Sequence, residues 1–140
     1  MSRGLGDVYK RQALVSGGVR FNVHWDDGLV EGLRAGVSPK LLRRVTGAGF
    51  EPEATFDLHG LRRGEAVRAV HEFVREARRR GARYLLLIVG KGHHSEDGIG
   101  VLAEVAVEAL TQGVAAPLVG AFASAHSRHG GRGALAVVLD

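Results

Sequence analysis

The sequence has 140 residues, the length of one domain, and 45% of them are hydrophobic and 24% charged, as in an ordinary globular protein. It contains no cysteine, so disulfides and thiolate metal sites are excluded, and any metal ion would need His, Asp or Glu ligands. No apolar run approaches the roughly 20 residues that span a bilayer, and no signal-peptide pattern is present, so we expect a cytoplasmic protein with no membrane partner.

The net charge of +4 comes from 19 Lys and Arg residues against 15 Asp and Glu residues. A basic surface favours polyanions such as nucleic acid. An Arg-rich composition inherited from a GC-rich genome would give the same net charge. The charge alone therefore leaves both interpretations open.

The beginning of the chain is set apart from the rest. DVYKRQ (Asp7–Gln12) resembles the translation of a transposon end used to prepare sequencing libraries, so residues 1–12 are interpreted as an assembly scar. Residues 13–52 are predicted to form an N-terminal arm, in which the Gly-rich, weakly patterned Ala13–Val37 is expected to be a loop. SPKLLRRVT (Ser38–Thr46) predicts a short helix, with its serine as N-cap and its proline at the first helical position.

From residue 53 to residue 140 the apolar residues follow a regular pattern. Short apolar runs predict strands, and apolar residues at three- and four-residue spacing predict helices. The predicted elements are strand Ala54–Leu58, helix Arg63–Arg80, strand Arg83–Val89, helix Ile99–Gln112, strand Pro117–Ser124 and strand Ala134–Leu139. Because a strand–helix–strand crossover is normally right-handed and parallel, this β-α-β-α-β-β order predicts an α/β fold in which two helices pack on a mixed sheet.

FDLHG, at the end of the first of these strands, contains the first candidate site residues. Side chains alternate along a strand, so Asp57 and His59 share one face while Phe56 and Leu58 fill the core on the other. An acid beside an imidazole at the carboxyl end of a strand suits proton transfer near neutral pH. The alternative is a strand-end pair that only caps the turn into the next helix.

GKGHHSEDGIG follows the most apolar strand and opens the next helix, where free backbone N–H groups attract anions. Its glycines allow a phosphate to come close and Lys91 adds a positive charge, but the loop matches neither the Walker A pattern nor the dinucleotide fingerprint. His93 and His94 could join an acid in a metal site, although adjacent residues seldom converge on one ion. The loop is therefore either a phosphate contact or a structural turn.

SAHSRHGGRG, before the last strand, is the third candidate. Arg128, His129 and Arg132 lie on this glycine-rich loop, and they reach the same end of the sheet as the other two motifs only if the chain reverses there. An Arg-rich strand connection is equally typical of a solvated hairpin.

Together and in this order, the three motifs resemble the Smr domain, best known as the C-terminal domain of certain MutS-related proteins and also found as small stand-alone bacterial proteins. The family pattern is Leu-Asp-Leu-His-Gly before a helix, an apolar strand ending in (His or Thr)-Gly-(Lys or Arg)-Gly, and Gly-Gly-x-Gly-Ala before the last strand. Here these motifs read FDLHG, VGKGHHS and GGRGA. The resemblance covers Glu53–Leu139, and Asp26–Phe50 is similar to the lead-in of stand-alone members.

The resemblance implies a two-layer α/β sandwich with a mixed four-stranded sheet, like the C-terminal domain of translation initiation factor three. It also implies nucleic-acid binding and, in several members, nicking endonuclease activity on DNA or RNA, with a place in DNA repair or recombination. The alternative is a non-catalytic nucleic-acid-binding or adaptor module. Because contacts to the sugar–phosphate backbone carry no sequence information, we expect recognition of structure rather than sequence.

The family's functional residues are assigned here by position. Asp57 and His59 match the catalytic pair, with His59 as general acid or base and Asp57 as its orienting group, or as the ligand of Mg²⁺ or Mn²⁺ if a divalent ion is used. Gly90, Lys91 and Gly92 match the family's glycine-rich loop, and His94 and Ser95 match the His-Ser pair that often follows it. Arg132 lies inside the last glycine motif, where the family varies. Together with His93 and Arg128, these residues are predicted to bind nucleic-acid phosphate. Val89 departs from the pattern, because valine can neither donate, accept nor ligate where many members have His or Thr.

Overall fold

The computed structural model describes residues 9–90 and 101–140, in which helices lie against one mixed sheet. The strands are β1 (Tyr9–Ser16), β2 (Val19–Asp26), β3 (Leu29–Arg34), β4 (Ala54–Asp57), β5 (Tyr84–Ile88), β6 (Val119–Ser124) and β7 (Ala134–Leu139). The helices are α1 (Lys40–Thr46), α2 (Arg63–Arg79) and α3 (Val101–Leu110), with short 3₁₀ turns at Gly113–Ala115, Ser127–His129 and Gly131–Gly133.

The strands of the described chain lie in the order β1-β2-β3-β6-β7-β5-β4. β4 and β5 are parallel, and every other neighbouring pair is antiparallel. The predicted β-α-β-α-β-β order is confirmed for β4 to β7 with α2 and α3 between them. The predicted number of four strands is wrong, because β1 to β3 extend the sheet beyond β6 to seven strands.

β2, β3 and the second half of β1 come from Ala13–Val37, which was expected to be a loop, and that expectation is therefore wrong. β2 alternates buried Phe21, Val23 and Trp25 with more exposed residues, which is the period-two pattern of a strand with one buried face. β3 then pairs with β6 and attaches this meander to the rest of the sheet. Division of the chain at residue 53 and a scar over residues 1–12 stay predictions.

The glycines that suggested a loop form the hairpin turns of this meander. Gly17 and Gly18 have φ values of 55° and 83° between β1 and β2. Asp27 and Gly28 have φ values of 52° and 81° between β2 and β3. Two successive residues with positive φ form a type I′ turn, which matches the twist of the two strands it joins.

Helices cover both faces of the sheet. α2 and α3 pack together on one face, over a core that includes Leu58, Phe122 and the alternate side chains of β2, β5 and β7. α1 lies on the other face, where Leu41, Val45 and Phe50 pack on β6 and β7. The two helices predicted to pack on the sheet are thus found on a common face, and α1 adds a layer that the two-layer expectation lacked.

The short helix predicted from SPKLLRRVT is present and begins at Lys40. The predicted cap is shifted by one residue, because Pro39 is the N-cap and Lys40 the first helical residue. The Ser38 hydroxyl still accepts a hydrogen bond from the Lys40 N–H at 3.2 Å. α2 ends one residue before its predicted end, and Gly81 follows with a φ of 83°. In the described ranges, no helix is both long enough and apolar enough to span a bilayer.

Candidate nucleic-acid site

The described parts of the three sequence motifs lie at one end of the sheet. The parallel strands β4 and β5 end there, so Asp57, the last residue of β4, and Gly90, just beyond β5, lie at neighbouring strand ends. β7 is antiparallel to β5, with Ala134 opposite Ile88, so the loop that precedes β7 reaches the same end. The chain reversal between β6 and β7, on which the third motif depended, is present.

Asp57 and His59 are exposed, whereas Leu58 between them is fully buried in the core. The predicted alternation across FDLHG is therefore confirmed. The Asp57 carboxylate accepts a hydrogen bond from the backbone N–H of His59, with the Asp57 Oδ1 to His59 N distance at 2.8 Å. Asp57 thus fixes the turn that carries His59 through the backbone, and the imidazole faces solvent.

The pair lies on the face of the sheet that α1 covers. Asp57 is opposite Ile88 in the parallel β4–β5 register, and opposed residues point to the same face. Ile88 belongs to the apolar cluster under α1. Phe50, from the segment between α1 and β4, packs on this same face, and the β6–β7 loop lies at the same end of the sheet.

The start of the glycine-rich loop is held by one carbonyl oxygen. The backbone N–H groups of Val89 and Gly90 both donate to the Gly133 carbonyl, at 2.9 and 3.1 Å. Gly90 has a φ of 82°, a conformation that favours glycine, so its contribution is to turn the chain. The Gly90 N–H is already hydrogen-bonded to the Gly133 carbonyl. The Val89 side chain is buried in the core, with 4% of its surface exposed.

The remaining predicted phosphate-contacting residues of this motif lie outside the described residues. They are Lys91, Gly92, His93, His94 and Ser95. Their contact with phosphate stays a prediction.

Three side chains of the β6–β7 loop bind backbone carbonyls of residues between Asp27 and Phe50. Arg128 donates to the Ala48 carbonyl at 2.8 Å and forms an ion pair with Glu51 at 3.4 Å. The Phe50 carbonyl accepts a hydrogen bond from His129 Nε2 at 2.8 Å, and the two rings meet edge to face with centroids 5.7 Å apart.

Arg132 completes this set by donating to the Asp27 carbonyl in the β2–β3 turn at 2.9 Å. We call Arg128, His129 and Arg132 the loop clasp. Each guanidinium has five N–H donors, so the clasp leaves donors that could still reach a phosphate. The prediction that Arg128 and Arg132 bind phosphate is thus neither confirmed nor contradicted.

The acceptors of the loop clasp are site residues that sequence reasoning missed. They are backbone carbonyls separated from their donors by 79 to 105 positions, and a carbonyl acceptor has no side-chain signature. The ion pair between Arg128 and Glu51 could not be predicted either, because nothing in the predicted N-terminal arm indicated that Glu51 lies beside the last glycine motif.

A divalent ion would have few protein ligands here. Among residues 9–90 and 101–140, no three His, Asp or Glu side chains are grouped so that they could hold a metal ion. Asp57 could supply one carboxylate oxygen to Mg²⁺ or Mn²⁺, and these ions commonly keep several waters and substrate phosphate oxygens as their other ligands. A role for Mg²⁺ or Mn²⁺ stays a prediction.

The family model of the Smr domain matches residues 56–140, which include all three motifs. The chain belongs to the Smr domain family. Smr domains are nucleic-acid-binding and nuclease-related modules. The expected family is therefore confirmed.

Two solved structures of Smr proteins are similar to the chain. YdaL, a stand-alone small MutS-related protein from Escherichia coli, has a TM-score of 0.62 at 25% identity, covering 99% of this chain and 92% of YdaL. The Smr domain of Thermus thermophilus MutS2 has a TM-score of 0.52 at 33% identity, covering 62% of this chain and 98% of that domain.

Two curated relatives share sequence with shorter parts of the chain. An uncharacterized protein of Treponema pallidum is 40% identical over 88 residues, or 63% of this chain and 42% of that protein. A Smr domain-containing protein of Schizosaccharomyces pombe is 43% identical over 56 residues, or 40% of this chain and 27% of that protein. The chain thus spans less than half the length of either relative.

Proposed function

We propose that the end of the sheet carrying Asp57 and His59 binds nucleic acid and hydrolyses a phosphodiester bond in it, acting as a structure-sensitive nicking endonuclease on DNA or RNA. The observation that supports this most is the convergence of the described parts of the three Smr motifs on one end of the sheet, beside an exposed acid and an exposed imidazole. If Asp57 and His59 served only the packing of the core, neither side chain would need to be exposed at that end of the sheet.

The reaction requires a nucleophile, a proton donor and stabilisation of the phosphoryl oxygens. His59 would accept a proton from water as the water oxygen bonds to phosphorus, and the bond from phosphorus to the leaving ester oxygen would break. The leaving oxygen would take a proton from the imidazolium or from solvent. Lys91 would neutralise the phosphoryl oxygens.

Asp57 has a defined part in this scheme. Its carboxylate fixes the His59 backbone at 2.8 Å and so sets the position from which the imidazole reaches the substrate. Because a carboxylate accepts several hydrogen bonds, oxygen lone pairs remain to orient a water or an Mg²⁺ or Mn²⁺ ion. In this scheme the main role of Asp57 is to fix the turn that carries His59, and the second role of its carboxylate charge is to orient the water or the ion.

Two observations favour a second candidate, a binding or adaptor module without catalysis. The Asp57 carboxylate already has a structural partner, and Val89 is apolar and buried where many family members have His or Thr. In this second candidate, Asp57 caps the turn and the surrounding loops grip nucleic acid without cleaving it.

A nicking assay on supercoiled plasmid and on structured RNA separates the two candidates. His59→Ala should lower the nicking rate by about 10²- to 10⁴-fold with binding retained, as expected for loss of a general acid or base. Asp57→Asn keeps an oxygen that can accept the His59 N–H, so it tests the charge without removing the turn. Glu72→Gln, an exposed glutamate on α2, removes the same charge on the opposite face and should nick at the wild-type rate.

Nicking by the wild type that survives His59→Ala would place the activity elsewhere and refute the assignment. Binding with no nicking, in Mg²⁺, in Mn²⁺ and in chelator, would support the module without catalysis. Activity lost in chelator but present in His59→Ala would indicate a metal site that does not depend on the imidazole.

A further inference from the structure

A second concave surface lies on the same face of the sheet as Asp57, at the end of α1. It has a volume of about 360 Å³, within the range of ligand-binding clefts, and Arg43, Arg44, Phe50 and Tyr84 line it together with glycines of the α1–β4 segment. We call it the Arg44 groove. No motif of the Smr family pattern falls on its two arginines.

The Arg44 groove carries groups that can bind an anion. Arg43 and Arg44 are exposed, and within the described residues the Arg43 guanidinium forms no hydrogen bond or ion pair. Arg44 donates to the Tyr84 hydroxyl oxygen at 3.0 Å, so the phenol keeps its own proton to donate. A free guanidinium, a positioned guanidinium and a hydroxyl donor are together suited to phosphate oxygens.

Packing holds these groups in place. The Tyr84 ring meets Phe50 edge to face at 6.1 Å between centroids, and the guanidinium carbon of Arg83 lies 5.7 Å from the Tyr84 ring centroid. The Glu53 carboxylate accepts the backbone N–H groups of Arg83 and Tyr84 at 2.6 and 3.0 Å.

The nearest acids do not cancel this charge. Glu51 lines the groove, but its carboxylate forms the ion pair with Arg128 of the loop clasp. Glu53 is occupied by the two backbone amides at the start of β5. The groove lining therefore holds two guanidinium groups against one carboxylate, and that carboxylate is paired with Arg128.

The position of the groove relates it to the candidate site. Tyr84 is the first residue of β5, and Ile88, which lies opposite Asp57, is the last. Four residues of strand span about 13 Å, so the groove and Asp57 are separated by about this distance along β5. A sugar–phosphate backbone that crosses this distance would place different phosphodiesters of the same strand, a few nucleotides apart, at the groove and at His59.

We propose that the Arg44 groove is a second phosphodiester-binding site, which holds the sugar–phosphate backbone a few nucleotides from the bond that lies at His59. This inference rests on the proposed nucleic-acid-binding function and deepens it, because it gives the strand a direction across the α1 face. An acidic peptide is the other ligand with matching charge, and the experiment below distinguishes it.

The test measures the affinity of labelled single-stranded oligonucleotides by fluorescence anisotropy over a range of salt concentrations. Arg43→Ala should reduce the slope of log K against log salt by about 0.7, the value for one phosphate contact on a single strand. Arg75→Ala removes an exposed arginine from α2 on the other face and should leave the slope unchanged. Tyr84→Phe keeps the ring and should weaken binding about two- to tenfold at unchanged slope.

Oligonucleotide length and chemistry complete the design. An eight-nucleotide strand should show the Arg43→Ala effect, and a dinucleotide, whose single phosphodiester cannot occupy both sites, should lose most of it. DNA and RNA versions are compared, and equal effects on both would show that the groove contacts phosphate and not the 2′-hydroxyl.

Three results would overturn the proposal. If Arg43→Ala behaves like Arg75→Ala while the wild type binds tightly, the groove is refuted and the nucleic-acid function stands. If a polyglutamate peptide binds with the Arg43 dependence and the oligonucleotide does not, the groove serves a protein partner. If the wild type binds no oligonucleotide at all, the groove and the proposed function both fail.

Discussion

Replacing Arg128 with alanine separates a structural role for the β6–β7 loop from a role in phosphate binding. The substitution removes the 2.8 Å hydrogen bond to the Ala48 carbonyl and the ion pair with Glu51. A hydrogen bond of this kind contributes about 0.5–1.5 kcal/mol. The ion pair joins side chains that are 51% and 73% exposed, so it adds at most about 1 kcal/mol.

The two contributions together predict a loss of about 1–2 kcal/mol in the free energy of unfolding. Urea unfolding can be followed by far-ultraviolet circular dichroism and by the fluorescence of Trp25. Trp25 is the single tryptophan of the chain and is buried in β2, so its fluorescence reports on the N-terminal meander. Arg75→Ala serves as the control for loss of an exposed positive charge.

Salt dependence supplies the second measurement. If Arg128 acts as part of the loop clasp, Arg128→Ala lowers stability and leaves the slope of log K against log salt at the wild-type value. A slope reduced by about 0.7–0.9 with unchanged stability would refute the structural interpretation and establish a phosphate contact. The ion pair itself can be isolated with Glu51→Gln in a double-mutant cycle, where a coupling of about 0.2–1 kcal/mol is expected.

Further predictions test the additional strands and the segment before β4. A Cβ on Gly32 would lie 2.2 Å from the buried Phe122 ring, so Gly32→Ala should cost about 1–3 kcal/mol in chemical denaturation, whereas Gly49→Ala, with open space around it, should be near neutral. Hydrogen bonds from two backbone amides at the start of β5 lower the pKa of Glu53. Its stabilising contribution is therefore present above its ordinary pKa and is lost as pH falls through the lower, folded-state pKa. Glu53→Gln should be less stable than wild type at pH 7 and lose less stability on acidification, while Glu72→Gln follows the wild type.

The sequence contained more information about the N-terminal segment than its glycine content suggested. Two-residue Gly-Gly and Asp-Gly connections between short alternating runs are the strongest local signals for type I′ hairpins. Both occur here, at residues 17–18 and 27–28, and both have the positive φ values that the turn requires. The glycine content indicated a loop, but the apolar residues of β2 recur at every second position, which is the pattern of a strand.

The candidate site divides in the same way into local and non-local parts. The exposure of Asp57 and His59 followed from alternation along five residues, which is a local property of a strand. Capture of the Gly90 amide by the Gly133 carbonyl depends on the β5–β7 pairing, and no residue type is required at the acceptor. Site features that depend on backbone carbonyls from distant strands cannot be predicted from residue identities.

β6 shows why the first three strands belong with the sheet that bears the site. All but one of its residues are buried, and without β3 it would expose an apolar strand with unpaired backbone groups, a known route to aggregation. β3 covers that edge, and its Gly32 leaves room for the fully buried ring of Phe122. The Val30 N–H also donates to the Ser124 hydroxyl at 2.9 Å, where β6 enters the loop clasp region. The pairing that protects β6 therefore also positions the β6–β7 loop, whose Gly133 carbonyl holds Gly90 beside the strand end of Asp57.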